Sequence, residues 1–231
     1  MYFTEVEIYQ NTFRMTKIDK NLADSRKVYK KAALLEATIS DNPMQLFQTW
    51  FLEAEANESG EANAMNLATI GLDGFPKNRI VLLKRFTWEG FVFYTNYNSE
   101  KGKAITTNPK VSLSFFWQGL ERQVIIKGIA EKLPENLSDG YFESRPDGSR
   151  IGAWASDQSD VVSSREVLDE KLKSFQEKFE HSDIPRPKHW GGYLIKPKVI
   201  EFWQGRPNRM HDRIRFTLDE KYCWKIERLQ P

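Results

Sequence analysis

The chain has 231 residues, of which 40% are hydrophobic and 29% charged, a composition typical of a globular protein with a substantial core. Its 34 basic and 32 acidic residues nearly cancel, which excludes a global charge that would draw it to nucleic acid or an anionic membrane. The single cysteine excludes an intramolecular disulfide, no apolar run is long enough to span a bilayer, and Glu5 and Glu7 lie where a signal peptide would be apolar. We therefore expect a cytoplasmic protein.

Residues 1–25 mix charged and aromatic side chains without a clear period, which predicts a flexible N-terminal arm ahead of a single domain over 26–231. A helical pattern begins at Asp24, with Ser25 as a possible N-cap. A stronger helix start follows at Asn42, an N-cap residue with proline directly after it. The apolar positions of these two predicted helices are Val28, Leu34 and Leu35, and Leu46, Phe47, Trp50 and Phe51.

The middle and the end of the chain have the character of β-strands. Short segments rich in branched and aromatic residues are separated by turn signals, and Gly74 and Gly90 mark the sharpest hairpin turns. This pattern predicts an antiparallel meander. The predicted strands are 64–71, 78–84, 91–95, 111–117, 122–131, 192–195, 199–203, 209–217 and 222–228.

Helical stretches interrupt these strands at 99–109 and 134–144. A longer helix is predicted after Ser163, which with Glu166 forms a plausible capping box. Apolar residues then recur at helical spacing and are expected to face the core. They are Leu168, Leu172, Phe175 and Phe179.

The element order favours a mainly β protein with peripheral helices (α+β), built as a closed or split antiparallel barrel. Strict alternation of strands and helices is absent. The glycine-rich strings that hold phosphates in parallel-sheet nucleotide folds are absent as well. Any nucleotide-like cofactor must therefore be held by side chains.

The most informative candidate site is the run from Arg209 through His211 to Arg213. On an extended strand these three side chains would share one face, where two guanidiniums and an imidazole repel one another unless an anion or an electron-rich ring lies among them. The alternative is a solvated, basic edge strand, and a lone histidine is more often structural than catalytic. A metal site is not expected, because His181, His189 and His211 are the only histidines and form no ligand cluster.

Two further groups could contact phosphates. Arg79 and Lys84 bracket an apolar strand, and strict alternation places them on opposite faces unless a bulge redirects one of them. Tyr141, Arg145 and Ser149 lie close enough in one stretch to converge on a single anion. Surface solvation explains the first group equally well, and a turn rich in proline and glycine explains the second.

Together these strings resemble the pyridoxine (pyridoxamine) 5'-phosphate oxidase family of the bacterial type, from about Arg26 to Pro231. The family signature is matched by Glu201-Phe202-Trp203-Gln204 followed by Arg209-Met210-His211-Asp212-Arg213. Supporting strings occur in the expected order. They are 79–84, Phe93-Tyr94-Thr95-Asn96, Leu120-Glu121-Arg122-Gln123-Val124 and Ser144-Arg145-Pro146.

The resemblance implies an FMN-binding split β-barrel that forms a homodimer with FMN at the subunit interface. The implied cofactor contacts are Arg79, Ile80, Val81, Leu82, Leu83, Lys84, Tyr94, Thr95, Lys101, Gln123, Gln158, Ser159, Trp203 and Arg213. The implied substrate contacts are Arg26, Tyr29, Lys84, Tyr141, Arg145, Ser149, Arg209 and His211.

The implied reaction is oxidation of pyridoxine or pyridoxamine 5'-phosphate to pyridoxal 5'-phosphate, with hydride transfer to the flavin and reoxidation by oxygen to hydrogen peroxide. Arg209 and His211 are the implied catalytic residues: Arg209 would cover one face of the substrate ring, and His211 would orient the reacting group. One departure from the family is Glu100, an acid where relatives often place a base beside Lys101. Either Glu100 turns outward, or Lys101 and Arg79 carry more of the flavin phosphate charge.

Three alternative functions remain open from the sequence. A split-barrel flavin reductase with another substrate would give no peroxide and aldehyde from pyridoxine 5'-phosphate. A carrier of flavin or pyridoxal phosphate would bind its ligand without turnover. A nucleic-acid binder ranks last, because the net charge is only +2 and no recognition motif is present.

Overall fold

The computed structural model describes residues 27–57 and 60–231, so the predicted arm over 1–25 and Arg26 lie outside the described residues. The described part contains five α-helices and nine β-strands. In chain order they are α1 Pro43–Asn57, β1 Ala64–Ile70, β2 Pro76–Leu82, β3 Arg85–Thr87, β4 Gly90–Asn96, α2 Glu100–Thr107, β5 Lys110–Trp117, β6 Arg122–Lys132, α3 Glu135–Glu143, α4 Asp147–Ala155, α5 Arg165–Phe179, β7 Trp190–Gln204, β8 Asp212–Leu218 and β9 Trp224–Leu229.

All nine strands belong to one sheet, and every strand pair is antiparallel. The main path runs β2-β1-β5-β6-β7-β4-β3. The long strand β7 is the branch point: β6 pairs along one edge, while β4 and β8 pair with different halves of the other edge. The predicted split antiparallel barrel with peripheral helices is confirmed.

The sheet curls around α1, as the ring of Phe47 shows. Its centroid lies 5.1 Å from that of Phe86 on β3 and 5.3 Å from that of Phe115 on β5, although β6, β7 and β4 separate those strands in the sheet. One buried ring can touch both only if the sheet curls so that β3 approaches β5. Asn42 caps this helix as predicted, because its side-chain oxygen accepts the backbone N–H of Met44 at 2.9 Å.

Residues 192–195 and 199–203, predicted as two strands, form the single strand β7. Pro197 lies between them and cannot donate to the β-ladder. Gly128 of β6 opposes Pro197 and Lys127 opposes Val199, so Lys198 is an extra residue in β7, and this bulge lets the strand continue past the proline. A Cβ added to Gly128 would lie 2.6 Å from the carbonyl oxygen of Lys196, so the close approach requires glycine.

One helical prediction was wrong, and another gave the helix correctly but not its cap or its burial. Residues 27–35 are not helical, and only a short 3-10 turn, Glu36–Thr38, follows them. Helix α5 begins at Arg165 after Ser164, not at a capping box built on Ser163. Its predicted core stripe is only half-buried: Phe175 and Phe179 pack against Trp154 of α4 at the molecular surface.

Within 27–57 and 60–231, no helix combines the length and the apolar character needed to cross a membrane.

Candidate active site

A cavity of about 510 Å³ lies among β2, β4, α2 and α4. This volume is within the range of small-molecule sites, about 300–1,000 Å³. Many of its lining residues are predicted site residues: Ile80, Val81, Leu82, Lys84, Tyr94, Thr95, Lys101, Tyr141, Arg145, Ser149 and Gln158. The remaining lining residues were not assigned to the site from the sequence: Asn96, Gly152, Ala153, Ser156 and Trp190.

Three aromatic rings stack at one side of this cavity. Tyr94 of β4 and Tyr141 of α3 lie 3.9 Å apart between centroids and are inclined by 18°. Trp190, the first residue of β7, lies 5.5 Å from Tyr94 at an interplanar angle of 10°. Nearly parallel rings suit contact with another flat, conjugated molecule.

Arg145 supplies a cation beside the rings. Its guanidinium carbon lies 4.6 Å from the centroid of Trp190, which fixes its position through a cation–π contact. Its Nη1 atom is buried and has no hydrogen-bond partner among the described residues. Burial lowers the pKa of the Arg145 guanidinium. A buried donor without a partner is costly, so this atom fits an anionic ligand that enters the cavity.

Lys101 supplies a second cation at the N-terminal end of α2. It is 9% exposed, and its Nζ donates to Gln158 Oε1 at 2.9 Å and to Ser99 Oγ at 3.2 Å. The pKa of Lys101 is lowered to about 8, mainly by burial and secondarily by the nearby charge of Arg79. Thr95 also donates to Gln158 Oε1, at 3.2 Å. A cation at a helix N-terminus with hydroxyl and amide neighbours fits a phosphate.

Glu100 turns away from this end of the cavity. Its carboxylate forms an ion pair with Lys77 and is 48% exposed. Lys77 also approaches Asp73 at 3.3 Å, and these two acids raise the pKa of Lys77. The first of the two alternatives for Glu100, an outward side chain, is therefore the one observed.

The other residues of the 79–84 stretch divide between three environments. Ile80, Val81, Leu82 and Lys84 line the cavity, whereas the side chain of Leu83 is 4% exposed and belongs to the core. Arg79 does not line the cavity. Its Nη1 donates to Thr69 Oγ1 at 2.7 Å and to the carbonyl oxygen of Leu67 at 3.1 Å, so it reaches across to β1.

A second group of predicted site residues lies outside this cavity. It forms the histidine cluster, which consists of Tyr29, Trp203 and His211. The ring of His211 lies 4.7 Å from that of Trp203, and Tyr29 meets both rings edge-on at 5.6 and 5.8 Å. Nδ1 of His211 accepts the backbone N–H of Arg206 at 3.0 Å. In the neutral ring the proton is therefore assigned to Nε2, which can donate to a ligand.

The prediction that Arg209, His211 and Arg213 share one face of a strand was wrong. A 3-10 turn, Pro207–Arg209, precedes the strand, and both Asn208 and Arg209 have left-handed backbone angles, with φ of 56° and 60°. Strand β8 begins only at Asp212. The alternative of a basic edge strand was wrong as well, because β8 lies between β7 and β9.

Gln123, Trp203 and Arg213 form a row across β6, β7 and β8, where each opposes the next. Their strand neighbours Val124, Phe202 and Ile214 are fully buried, so the row lies on the sheet face away from the core. Arg213 is held in place by Glu201, whose Oε1 accepts from Nε at 2.8 Å.

The described residues thus place the predicted site in two groups within one chain. None of Arg79, Leu83, Gln123, Ser159, Trp203, Arg209, His211 and Arg213 lines the cavity, and Tyr29 lies with the histidine cluster. Arg209 is exposed. The expected gathering of Arg209 and His211 with Lys84 and Arg145 in one cleft is not found within a single chain.

Trp190 is the clearest site residue that the sequence analysis missed. It lies just before the glycine pair that opens the predicted strand 192–195. The sequence around Trp190 is that of any aromatic residue beside a strand, and the contact between Trp190 and Arg145 joins residues 45 positions apart. No local sequence pattern predicts the contact between Arg145 and Trp190.

Two family models match the chain. Residues 52–179 match one described as pyridoxamine 5'-phosphate oxidase, and residues 190–231 match one described as the pyridoxine 5'-phosphate oxidase C-terminal dimerisation region. Among solved structures, PhzG from Burkholderia lata 383, determined in complex with tetrahydrophenazine-1-carboxylic acid, superposes with a TM-score of 0.81 at 28% identity, covering 87% of this chain and 100% of that one.

Curated relatives agree with the family models. A protein of Flavobacterium johnsoniae named pyridoxine/pyridoxamine 5'-phosphate oxidase is 61% identical over 210 residues, covering 90% of this chain and 98% of the relative. One of Trichormus variabilis with the same name is 50% identical over 214 residues, covering 93% and 100%. With the first family model covering more than half of its length, the chain belongs to the pyridoxine/pyridoxamine 5'-phosphate oxidase family.

Proposed function

We propose that this chain is an FMN-dependent oxidase that converts pyridoxine 5'-phosphate and pyridoxamine 5'-phosphate to pyridoxal 5'-phosphate, in the salvage and final synthesis of that cofactor. Oxygen is the electron acceptor, hydrogen peroxide is released, and the amine substrate also yields ammonia. The observation that carries the proposal is the cavity in which Arg145 presents a buried, unpartnered Nη1 beside three stacked rings. The curated relatives named for this reaction support it.

The cavity fits FMN in two respects. Lys101, at the capped start of α2, offers a buried cation to the phosphate, with Gln158 and Thr95 as polar neighbours. Strand β2 presents apolar and backbone groups along the adjacent wall, suited to a flat ring system. The hydride acceptance and the reaction with oxygen are chemistry that FMN supplies when it is bound.

The chain's own residues would bind and orient the substrate through its phosphate. Arg145, Lys84, Tyr141 and Ser149 all line the cavity and can donate to phosphate oxygens. Because Arg145 is already held against Trp190, its fork geometry requires little ordering when the anion arrives. Fixing the phosphate in this way would hold the reacting carbon in a constant position, which is the main contribution that binding residues make to rate.

We propose further that two chains complete each site. Gln123, Trp203, Arg209, His211 and Arg213 face away from the cavity of their own chain. In a homodimer these residues of one subunit would close the cavity of its partner, with Arg209 covering the substrate ring and His211 orienting the reacting group. Four of the five lie within 190–231, the segment that matches a region described as dimerising.

The further assignments stand on the sequence. We propose a cytoplasmic location, supported by a lone cysteine that leaves no disulfide within the chain. We also propose that residues 26–231 act as one domain behind an N-terminal arm over 1–25, and that Arg26 closes over the substrate together with Tyr29. Leu83 and Ser159 would contact FMN through backbone atoms, and Arg79 would add positive charge near its phosphate.

The decisive experiment supplies the purified, FMN-loaded protein with pyridoxine 5'-phosphate in air. We expect hydrogen peroxide and aldehyde in equal amounts, and much slower oxidation of unphosphorylated pyridoxine because the phosphate contacts are lost. Binding of FMN without turnover would favour the carrier. Reduction of the flavin by some other donor, with no peroxide from pyridoxine 5'-phosphate, would favour the reductase.

A further inference from the structure

Residues 27–36 join no strand of the sheet, so their backbone groups need other partners. Glu121, at the start of β6, supplies two of them. Its Oε2 accepts the backbone N–H of Lys30 at 2.8 Å and that of Lys31 at 3.1 Å. These bonds join positions about ninety residues apart in the sequence.

The far end of the segment is held in the same manner. Asp212 accepts the backbone N–H of Leu34 at 3.1 Å, and Arg228 donates to the Leu34 carbonyl oxygen at 2.8 Å. Arg206 donates to the carbonyl oxygen of Ala32 at 3.1 Å. The segment is therefore fixed by side chains at both ends, and Glu121 is the fixing residue nearest to Tyr29.

Glu121 itself has two unusual properties. It is 2% exposed, and buried carboxylates are rare unless they are paired; its Oε1 lies 3.7 Å from Nζ of Lys27, at the start of the same segment. Its backbone has left-handed angles, φ 57° and ψ 40°, which are uncommon for a residue other than glycine, asparagine or aspartate. A buried charge at a strained position indicates a specific role, and this carboxylate binds the segment through the backbone of Lys30 and Lys31 and the side chain of Lys27.

The bonds from Glu121 determine where Tyr29 lies. Tyr29 directly precedes Lys30 and packs edge-on against Trp203 and His211. Gly205 permits this approach, because a Cβ at that position would lie 2.8 Å from the Cβ of Tyr29. The tyrosine is thus confined between the backbone anchored by Glu121 and the surface of β7.

We propose that Glu121 is a positioning residue: by binding the backbone of Lys30 and Lys31, its carboxylate holds Tyr29 against Trp203 and His211. The consequence for substrate rests on the proposed function, in which Tyr29 covers the bound vitamer. Since Glu121 touches neither reacting atoms nor phosphate, its loss should weaken substrate binding more than the chemical step.

The test compares Glu121→Gln with Glu131→Gln in FMN-loaded protein. Glu131 lies near the far end of β6, the strand that Glu121 precedes, and pairs with Lys196 at 2.6 Å, away from the segment, so it is the matched control. For Glu121→Gln we expect the KM for pyridoxine 5'-phosphate to rise about tenfold, with kcat changed by less than about twofold, because a charge-assisted bond is lost. Glu131→Gln should change neither.

Two measurements separate positioning from general stability. In a Tyr29→Ala background, Glu121→Gln should raise the KM no further, because its effect passes through Tyr29. Amide hydrogen exchange at Lys30 and Lys31 should accelerate in Glu121→Gln and stay at the wild-type rate in Glu131→Gln. Multiplicative effects in the double variant, or unchanged exchange at these amides, would overturn the proposal.

Should Glu121→Gln fail to fold, Gly205→Ala tests the role of Tyr29 from the other side: its Cβ would lie 2.8 Å from Tyr29 and 3.2 Å from the Cβ of Glu121, so it displaces the tyrosine most while the carboxylate is still present. A similar rise in KM supports the role of Tyr29, and an unchanged KM overturns it. If the wild-type protein oxidises no vitamer, the proposed function fails on its own, and the exchange rates at Lys30 and Lys31 still decide whether Glu121 holds the segment.

Discussion

The guanidinium of Arg145 lies over the indole of Trp190, with 4.6 Å between its carbon and the ring centroid, and its Nη1 is buried with no hydrogen-bond partner in the part of the chain that the structure describes. The contact joins the loop between α3 and α4 to the first residue of β7. It orients a cation toward the cavity before any ligand is bound.

Replacing Arg145 should therefore impair recognition of the substrate phosphate. We expect Arg145→Lys to raise the KM for pyridoxine 5'-phosphate by about ten- to a hundredfold, because a lysine cannot reproduce the fork or the stacking, and a hydrogen bond to a charged group contributes about 1.5–3 kcal/mol. Steady-state kinetics measure this. Arg165→Lys, at an arginine whose side chain is 76% exposed, should match wild type; an equal effect of both variants would contradict a specific role for Arg145.

Affinity for FMN should depend on pH through Lys101. Because burial lowers the pKa of Lys101 to about 8, the apoprotein loses this charge as the pH rises through that value. We expect FMN affinity to fall by up to about tenfold between about pH 7 and about pH 9, as the protonated fraction falls. Flavin fluorescence titration of the apoprotein measures the affinity.

The matched variant for that titration is Lys101→Gln, which should bind FMN weakly at both pH values and show no such decline. The stability of the apoprotein should change in the opposite direction. Between about pH 8 and the usual lysine pKa of 10.5 the unfolded chain binds more protons at this residue, so its contribution to the free energy of unfolding rises with pH. A pH-independent FMN affinity in wild type would refute the assignment of Lys101 to the phosphate.

The two-chain site can be tested by mixing defective subunits. Arg145→Ala and His211→Ala should each have low activity as homodimers. After the two are refolded together, half of the dimers contain one of each, and one of the two sites in such a dimer is intact, so we expect about a quarter of wild-type activity. If each chain carried a complete site, mixing would restore nothing.

Gly128 should be essential to the passage of β7 beyond Pro197. We expect Gly128→Ala to lower the free energy of unfolding by about 2 kcal/mol, because its Cβ would lie 2.6 Å from the Lys196 carbonyl oxygen. Urea denaturation measures this. Gly140→Ala in α3, where the added Cβ meets nothing within 4 Å, should instead stabilise the protein by up to about 1 kcal/mol.

The strands were largely predictable because their outer residues alternate with buried ones, as in β5, where Val111, Leu113, Phe115 and Trp117 face the core. At two prolines the sequence pattern indicated an interruption that the structure does not show. Pro197 indicated a break, but β7 continues past it with Lys198 as an extra, bulged residue, and Pro146 with Gly148 indicated a turn where Pro146 is the N-cap of α4. The bulge at Pro197 depends on pairing with a strand about seventy positions away, whereas Pro146 starts a helix whose first bonds, from Ser149 and Arg150 to its carbonyl oxygen, are local.

The site was predictable as a set of residues but not as an arrangement. Residue types and spacing pointed to Arg209, His211 and Arg213, yet left-handed angles at Asn208 and Arg209 break the strand that was expected to align them. Such angles are cheap for asparagine and uncommon for arginine, and no local pattern predicts them. Trp190 and Glu121 contribute through contacts that span 45 and about ninety positions, beyond the reach of periodicity.

Strand β7 carries Trp190 at its first position and Trp203 close to its last. At about 3.3 Å per residue, the chain between them measures roughly 40 Å, several times the length of a vitamer or a flavin ring. The same strand therefore contributes Trp190 to the cavity near one end and Trp203 to the histidine cluster near the other, and in the proposed dimer a single chain would supply only part of each active site. Dilution below the concentration at which the chains dimerise would then inactivate the enzyme without unfolding it.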